Sequence, residues 1–313
     1  MEAWVPITIA AAFFQNLRSA LQKHLIGRLS TTGATFSRFL YAAPLAVLYV
    51  AGLAGLAGKP LPEPNAGFAL ACAAGGLAQI AATALLLYLF SFRNFAVGTA
   101  YSKTETVQTA LFGIVILGEA VSLGAAVAIL VSLAGVIALS GLRRAEAASA
   151  AQAGARANAG IAALLADVAG KPALIGLLSG AGFGIAAVSY RSAALSLGGA
   201  GYVMQAAVTL ASVLIFQTLL MAGYIAVREP RQLAAVLRCW RVALWVGVSG
   251  MLASVGWFTA MTIQNAAYVR ALGQIELVFT FAASALVFGE RLSLRELAGI
   301  GLIVGGIVIL LLS

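Results

Sequence analysis

Seven ionisable residues lie in stretches otherwise apolar enough for a lipid bilayer: Arg18, Arg38, Lys103, Glu105, Arg191, Arg270 and Glu276. A charge at bilayer depth costs several kcal/mol unless it faces a partner, water or a ligand, so each is a candidate for function. Glu105 and Glu276 are the deepest; at about 1.5 Å per helical residue they lie roughly 15 Å and 14 Å into their spans. A carboxylate at that depth can receive an ammonium group or take up a proton. It can equally hydrogen-bond a neighbouring helix, with Thr109 and Thr280 one turn away to share the network. Lys103, two residues from Glu105, points to a different helix face and needs another partner. Five cations against two carboxylates leave a surplus of three positive charges. That sign favours a substrate bearing a carboxylate, which arginine grips with two parallel bonds.

Arg18 and Arg191 sit in similar strings, NLRSA and SYRSA, and are candidates to guard opposite entrances, although Arg18 can equally snorkel to the interface. Arg38, near the start of its span, reads as a snorkelling anchor. Gln15, Asn16, Tyr101, Tyr190, Trp257, Tyr268 and Gln274 are suited to lining a partly apolar pocket. With Arg18, Lys103, Glu105, Arg191, Arg270 and Glu276 they make up the candidate substrate-binding set. Trp257 and Tyr268 can stack on an aromatic ligand, anchor at the interface or simply pack.

These residues must be positioned by membrane-spanning helices. The chain is 62% hydrophobic and 9% charged, with a mean hydropathy of +1.01, which leaves too little polar surface to cover a soluble globule. Apolar runs long enough to cross a bilayer occur near 3–22, 31–56, 67–90, 95–117 and 123–141. Five more follow near 173–196, 201–226, 243–263, 267–288 and 296–312. The stretch from Asn265 to Leu294 repeats the one from Asn94 to Leu123 at a shift of 171 positions, with Glu105/Glu276, Thr109/Thr280, Glu119/Glu290 and Ser122/Ser293 among the matches. An odd number of spans per copy inserts the second copy upside down. The expected fold is therefore all-α and integral to the membrane, with ten transmembrane helices as two inverted five-helix repeats. Residues 1–141 form the first repeat, 142–172 a cytoplasmic linker and 173–313 the second repeat.

Basic residues of the short connections fall on one side: Lys23, Arg28, Arg93, Arg143, Arg144, Arg156, Lys171, Arg228, Arg231, Arg238, Arg241, Arg291 and Arg295, with Lys59 alone on the other. By the positive-inside rule the 1/2, 3/4, 5/6, 7/8 and 9/10 connections are cytoplasmic and both termini lie outside. The net charge of +9 thus encodes topology and not nucleic-acid binding. The start of the chain lacks a basic n-region and a cleavage site and reads as a retained span. Three prolines stiffen the 2/3 connection, and Pro44 is a candidate kink and hinge within span two.

Cys72 and Cys239 lack ligand spacing, and His24 is the single histidine, so no metal, cofactor, disulfide or thiol chemistry is expected. Gly180, Gly182 and Gly184 follow no strand and fit close helix packing better than a dinucleotide loop. In the two G-E-x-x-S loops Ser122 and Ser293 are placed as N-caps, and Glu119 and Glu290 as turn or helix-end residues.

Two five-helix halves, each with a fourth helix, then LGEAVS or FGERLS, then a Gly-rich fifth helix, resemble the drug/metabolite transporter superfamily, specifically its EamA-type ten-helix members. Family members often carry Glu-Pro before the Gly-Glu pair; Glu105 and Glu276 hold the Glu position here, but Thr106 and Leu277 replace the prolines. The usual kink residue is thus absent from helices four and nine. The resemblance implies a carrier of small metabolites, commonly an exporter. With the net-positive core it leads to an inner-membrane alternating-access transporter of amino acids or related carboxylate-bearing compounds. Its partners are a small-molecule substrate, the lipid bilayer and, if a carboxylate exchanges one, a proton. The alternatives are proton-coupled efflux of cationic drugs and a non-transporting membrane scaffold.

Overall fold

The structure, a computed structural model, describes residues 2–23, 25, 28–89, 101–151, 171–288 and 294–313. It is helical because a chain in lipid has no water to satisfy its backbone, and a helix satisfies every N–H and C=O beyond its ends internally. The first half holds α1 (Trp4–Lys23), α2 (Thr31–Gly55), α3 (Ala66–Leu89), α4 (Glu105–Phe112), which continues through a π-helical stretch (Gly113–Leu117), and α5 (Leu123–Ala151). The second holds α6 (Lys171–Ser196), α7 (Tyr202–Arg228), α8 (Pro230–Arg238), α9 (Trp240–Ile263), α10 (Ala266–Gly273), α11 (Ile275–Phe288) and α12 (Leu294–Leu312). With α4 and its π-helical stretch as one passage, α10 and α11 as another, and α8 lying between spans, the described residues make ten passages. Five helices, α2, α3, α6, α7 and α9, are each long and apolar enough to cross a membrane alone.

The packing partners close on themselves. Span one packs on span eight and span three on span six; two packs on seven, four on nine and five on ten. Advancing every span by five returns the same set of pairs. Each half crosses an odd number of times, so the two halves are inverted copies about an axis in the membrane plane. Small residues permit the close crossings. A Cβ on Gly182 would stand 2.9 Å from the Cβ of Ala82, and one on Gly256 would stand 2.7 Å from the Cβ of Ala11. One contact joins spans three and six and the other spans eight and one, so they lie on equivalent crossings of the two halves. The glycines at 180, 182 and 184 therefore serve packing, with Gly180 under the Ser102 carbonyl and Gly184 under Thr109.

Three features depart from the linear reading. Pro44 sits inside an uninterrupted α2, so it does not break that helix. The helix that carries the fifth span runs on past residue 141 to Ala151, through an alanine-rich continuation. The 7/8 connection is itself an amphipathic helix, α8, opened by Pro230 in its first turn, with Val236 buried and Arg231 and Arg238 exposed. Ser122 caps α5 by accepting from the Ala125 N–H at 3.1 Å. Ser293, Glu290, His24 and residues 152–170 of the linker lie outside the described residues.

Replacing Gly182 with valine forces branched carbon onto α3 and is expected to lower stability by roughly 1–3 kcal/mol. Gly223→Ala, at an exposed position with no atom near its added methyl, is expected to be neutral or slightly stabilising. Thermal unfolding of the detergent-solubilised protein compares the two; equal midpoints would show that the crossing is not tightly packed.

Candidate functional site

Spans four and nine are both interrupted at mid-depth. The first breaks at Lys103–Thr104, before α4 begins at Glu105, and the second breaks at Gln274, before α11 begins at Ile275. Lys103 and Gln274 are 171 positions apart, so the breaks are copies. A proline after each glutamate would occupy the opening turn of a restarted helix, where its missing N–H costs little. The restart occurs without it. At the first break Thr104 folds back, its hydroxyl donating to the Tyr101 carbonyl at 2.6 Å and its N–H to the same oxygen at 3.1 Å. At the second, Gln274 donates from Nε2 to Thr106 Oγ1 at 2.8 Å, and Gly273 lies so close under Trp257 that a Cβ would stand 2.6 Å from the indole.

Both deep carboxylates thereby fall in the first turn of a half-helix, where free N–H groups and the helix dipole favour negative charge. Each is neutralised by a cation from the other half. Lys103 Nζ pairs with Glu276, and Arg270 Nη1 pairs with Glu105 Oε1 at 3.1 Å. All four side chains are largely buried, with exposures between 15% and 24%. Thr109 and Thr280 join the network through the backbone, donating to the Glu105 and Glu276 carbonyls at 2.7 and 2.9 Å.

Span one completes this centre. Gln15 Nε2 donates to Glu276 Oε2 at 2.5 Å while its Oε1 accepts from Trp257 Nε1 at 2.9 Å, which orients the amide from both ends. Asn16 Nδ2 donates to the Glu276 carbonyl at 3.0 Å and to Thr280 Oγ1 at 2.8 Å. The Arg270 guanidinium lies over the Trp257 ring, 5.2 Å from its centroid. Gln15, Asn16, Lys103, Glu105, Trp257, Arg270, Gln274 and Glu276 are thus brought together, and Tyr101 lies at the edge of the break with its carbonyl engaged.

Arg18 and Arg38 form the other part of the centre. The hairpin of α1 and α2 sets them at one level, and both stems pass Gly250 of α9: a Cβ there would stand 3.3 Å from Arg18 Cδ and 3.6 Å from Arg38 Cγ. Arg18 lies within electrostatic range of Glu276, and Arg38 within that of Arg18, Tyr190 and Arg270. Neither has a carboxylate partner among the described residues. Sequence reasoning treats Arg38 as an interfacial anchor; its place opposite Arg18 follows from the hairpin. Five residues from the end of α1 and seven from the start of α2 are similar depths, and that was the available signal.

The remaining three candidates are held in contacts of their own. Arg191 Nε donates to both oxygens of Glu119, at 2.7 and 3.0 Å, and its Nη1 donates to the Met261 and Gln264 carbonyls at 2.6 and 2.7 Å. It therefore caps the C-terminus of α9 and ties the 4/5 loop to it. Tyr190 is buried in a knot in which its hydroxyl donates toward the Gly75 carbonyl and Gln79 Oε1, both at 3.0 Å, while Gln217 Nε2 also reaches Gln79 at 2.8 Å. Tyr268 accepts from the Ser122 N–H at 3.0 Å. Cross-half contacts thus exist at both ends of the bundle: Glu119–Arg191 at the 4/5 end, and at the 1/2 end Ser30, whose hydroxyl donates to Glu229 at 2.7 Å.

A profile of the EamA-like transporter family matches residues 3–141 and again residues 170–312. The chain belongs to the EamA-like transporter family. This makes it a multi-pass membrane transporter of small molecules, within the drug/metabolite transporters. No curated protein matches the chain. A solved crystal structure shares the fold, with a TM-score of 0.71 at 18% identity, covering 99% of this chain and 96% of the other.

Removing one member of a crossed pair strands a buried charge. Lys103→Gln is expected to cost about 3–5 kcal/mol of stability, and Lys103→Gln/Glu276→Gln to recover most of it. Thermal unfolding measures the cycle, and simple additivity of the two single changes would rule the pairing out.

Proposed function

We propose that this transporter exports small carboxylate-bearing metabolites, amino acids among them, across the inner membrane by alternating access. The observation that supports this reading is the charge balance at the bundle centre. Glu105 and Glu276 are already neutralised by Arg270 and Lys103, whereas Arg18 and Arg38 have no carboxylate partner among the described residues. A carboxylate entering this centre gains charge-assisted bonds; an organic cation must first displace Lys103 or Arg270 and then meet two more guanidiniums. Cationic-drug efflux and a passive scaffold are accordingly the poorer readings.

The proposed cycle uses the crossed pairs as the element with two arrangements. The amino group of a zwitterion replaces Lys103 at Glu276, and the released ammonium of Lys103 is then free to hold the substrate carboxylate. A proton arriving at Glu276 would release Lys103 in the same way, which is how proton coupling would operate here. Reorganisation at midplane then permits one end of the bundle to open while the other is held by contacts such as Glu119–Arg191. The bias of basic connections supports a cytoplasmic 1/2 end with both termini outside; a reporter fused after Ser313 is expected to be active only on the outer face.

In proteoliposomes, labelled amino acids and organic anions are expected to be carried in preference to a tetraalkylammonium cation. Arg270→Gln is expected to reduce anion transport about tenfold or more, the scale of a lost charge-assisted bond. Faster transport of the cation, or unchanged anion transport in the Arg270 and Glu276 variants, would overturn the assignment.

A further inference from the structure

Two guanidiniums held side by side in a low-dielectric interior repel each other, and the desolvation of each adds to that cost. Interiors retain such pairs where a counter-charge arrives from outside the chain. Counting the centre as built, Arg18, Arg38, Lys103 and Arg270 stand against Glu105 and Glu276, a net charge of +2. The hydrogen-bond inventory points the same way. Among the described residues Arg18 Nε and Arg270 Nε are both buried without an acceptor, and the only bond there from the Arg18 fork is a long one, 3.5 Å, to Ser19 Oγ. Donors of this kind are normally satisfied, so unmatched ones beside a charge imbalance mark the place of a missing acceptor.

Snorkelling to the headgroup region does not account for the pair. Both stems are directed past buried Gly250 of α9, and their charges lie within range of Glu276, Tyr190 and Arg270 inside the bundle. Nor does either guanidinium resemble that of Arg191, which is fully engaged by Glu119 and by carbonyls of the α9 terminus. The two arginines come from adjacent helices of the first half, whereas Arg270 and Trp257 come from the second, so a ligand spanning them would bridge the halves.

We infer that Arg18 and Arg38 form a subsite for a second carboxylate, which makes the preferred cargo a short dicarboxylate with its other carboxylate held by Arg270 and Lys103. This rests on the carboxylate-carrier reading above and narrows it: a dianion cancels the net +2, while a monocarboxylate or a zwitterion leaves one or both of these charges uncompensated. The fork of each arginine offers two parallel bonds to a carboxylate, and Arg18 Nε gains its acceptor.

The test compares succinate with butyrate, which has the same chain length and one charge fewer, on the full chain in phosphatidylcholine nanodiscs. Ligand stabilisation of thermal unfolding gives the apparent affinities. Succinate is expected to bind about tenfold more tightly than butyrate, a difference of about 1.4 kcal/mol. Arg18→Gln and Arg38→Gln are each expected to collapse that ratio toward one. Without ligand, Arg38→Gln is expected to unfold no lower than the parent, because it removes a like-charge neighbour; a purely structural arginine would lower the midpoint on removal. Arg38→Lys, which keeps the charge and loses the fork, is expected to retain part of the preference and guards against a misfolded Gln variant. Equal binding of succinate and butyrate overturns the dicarboxylate subsite and leaves the carboxylate carrier standing. Binding of neither removes both. Stabilisation by added phosphatidylglycerol that depends on Arg18 and Arg38, with no response to succinate, would assign the pair to a lipid headgroup and also overturn the inference.

Discussion

The structure depends on neutralising charge where water is scarce. Lys103 with Glu276 and Arg270 with Glu105 cross between the halves, so neither half can be built or moved at midplane without regard to the other. In water such pairs would contribute little; in a membrane protein the alternative to pairing is an isolated charge, and that penalty makes partner choice strict. In the proposed cycle a ligand group of the right sign would replace one member of a pair, and binding would thereby act on the arrangement of the halves.

The interrupted helices follow from the same constraint. A continuous helix would place Glu105 and Glu276 against a fully bonded backbone. Restarting at those residues sets each carboxylate beside free N–H groups and the positive end of a helix dipole. A proline after each glutamate would suit such a restart, but none is needed here. Here Thr104 engages the Tyr101 carbonyl, and Gln274 follows a glycine packed directly under Trp257. Span one then reads the result through Gln15 and Asn16, whose amides bond the Glu276 carboxylate and its carbonyl and link both to Trp257.

Away from the centre, ionisable residues serve termini and loops. Arg191 satisfies the carbonyls that α9 leaves free at its end, and through Glu119 it fixes the 4/5 loop to the same point. A similar string around Arg18 suggested equivalent roles, yet Arg18 faces the bundle centre with an unmatched Nε. Local sequence likeness did not carry over to local contacts, because the neighbours each arginine meets come from other helices. Tyr190 illustrates the same point: its hydroxyl is engaged by Gln79 and the Gly75 carbonyl, contacts supplied by another helix.

Sequence alone determined the ten spans, the duplication at 171 positions, the family and the depth of Glu105 and Glu276. Those properties depend on hydropathy summed over one segment, on helical rise and on self-similarity, all of which are local or directly comparable along the chain. It could also count the excess of positive charge. Only the tertiary structure decided which cation meets which carboxylate, that Arg38 joins Arg18, that Arg191 caps α9, and where helices restart without proline. Those outcomes require knowing which residues face each other across distances such as the 173 positions between Lys103 and Glu276. Helix rotation and crossing set that, through the fit of glycines such as Gly182, Gly250 and Gly273 against their neighbours, and a linear pattern of apolar residues that are lipid-compatible on every face does not encode it.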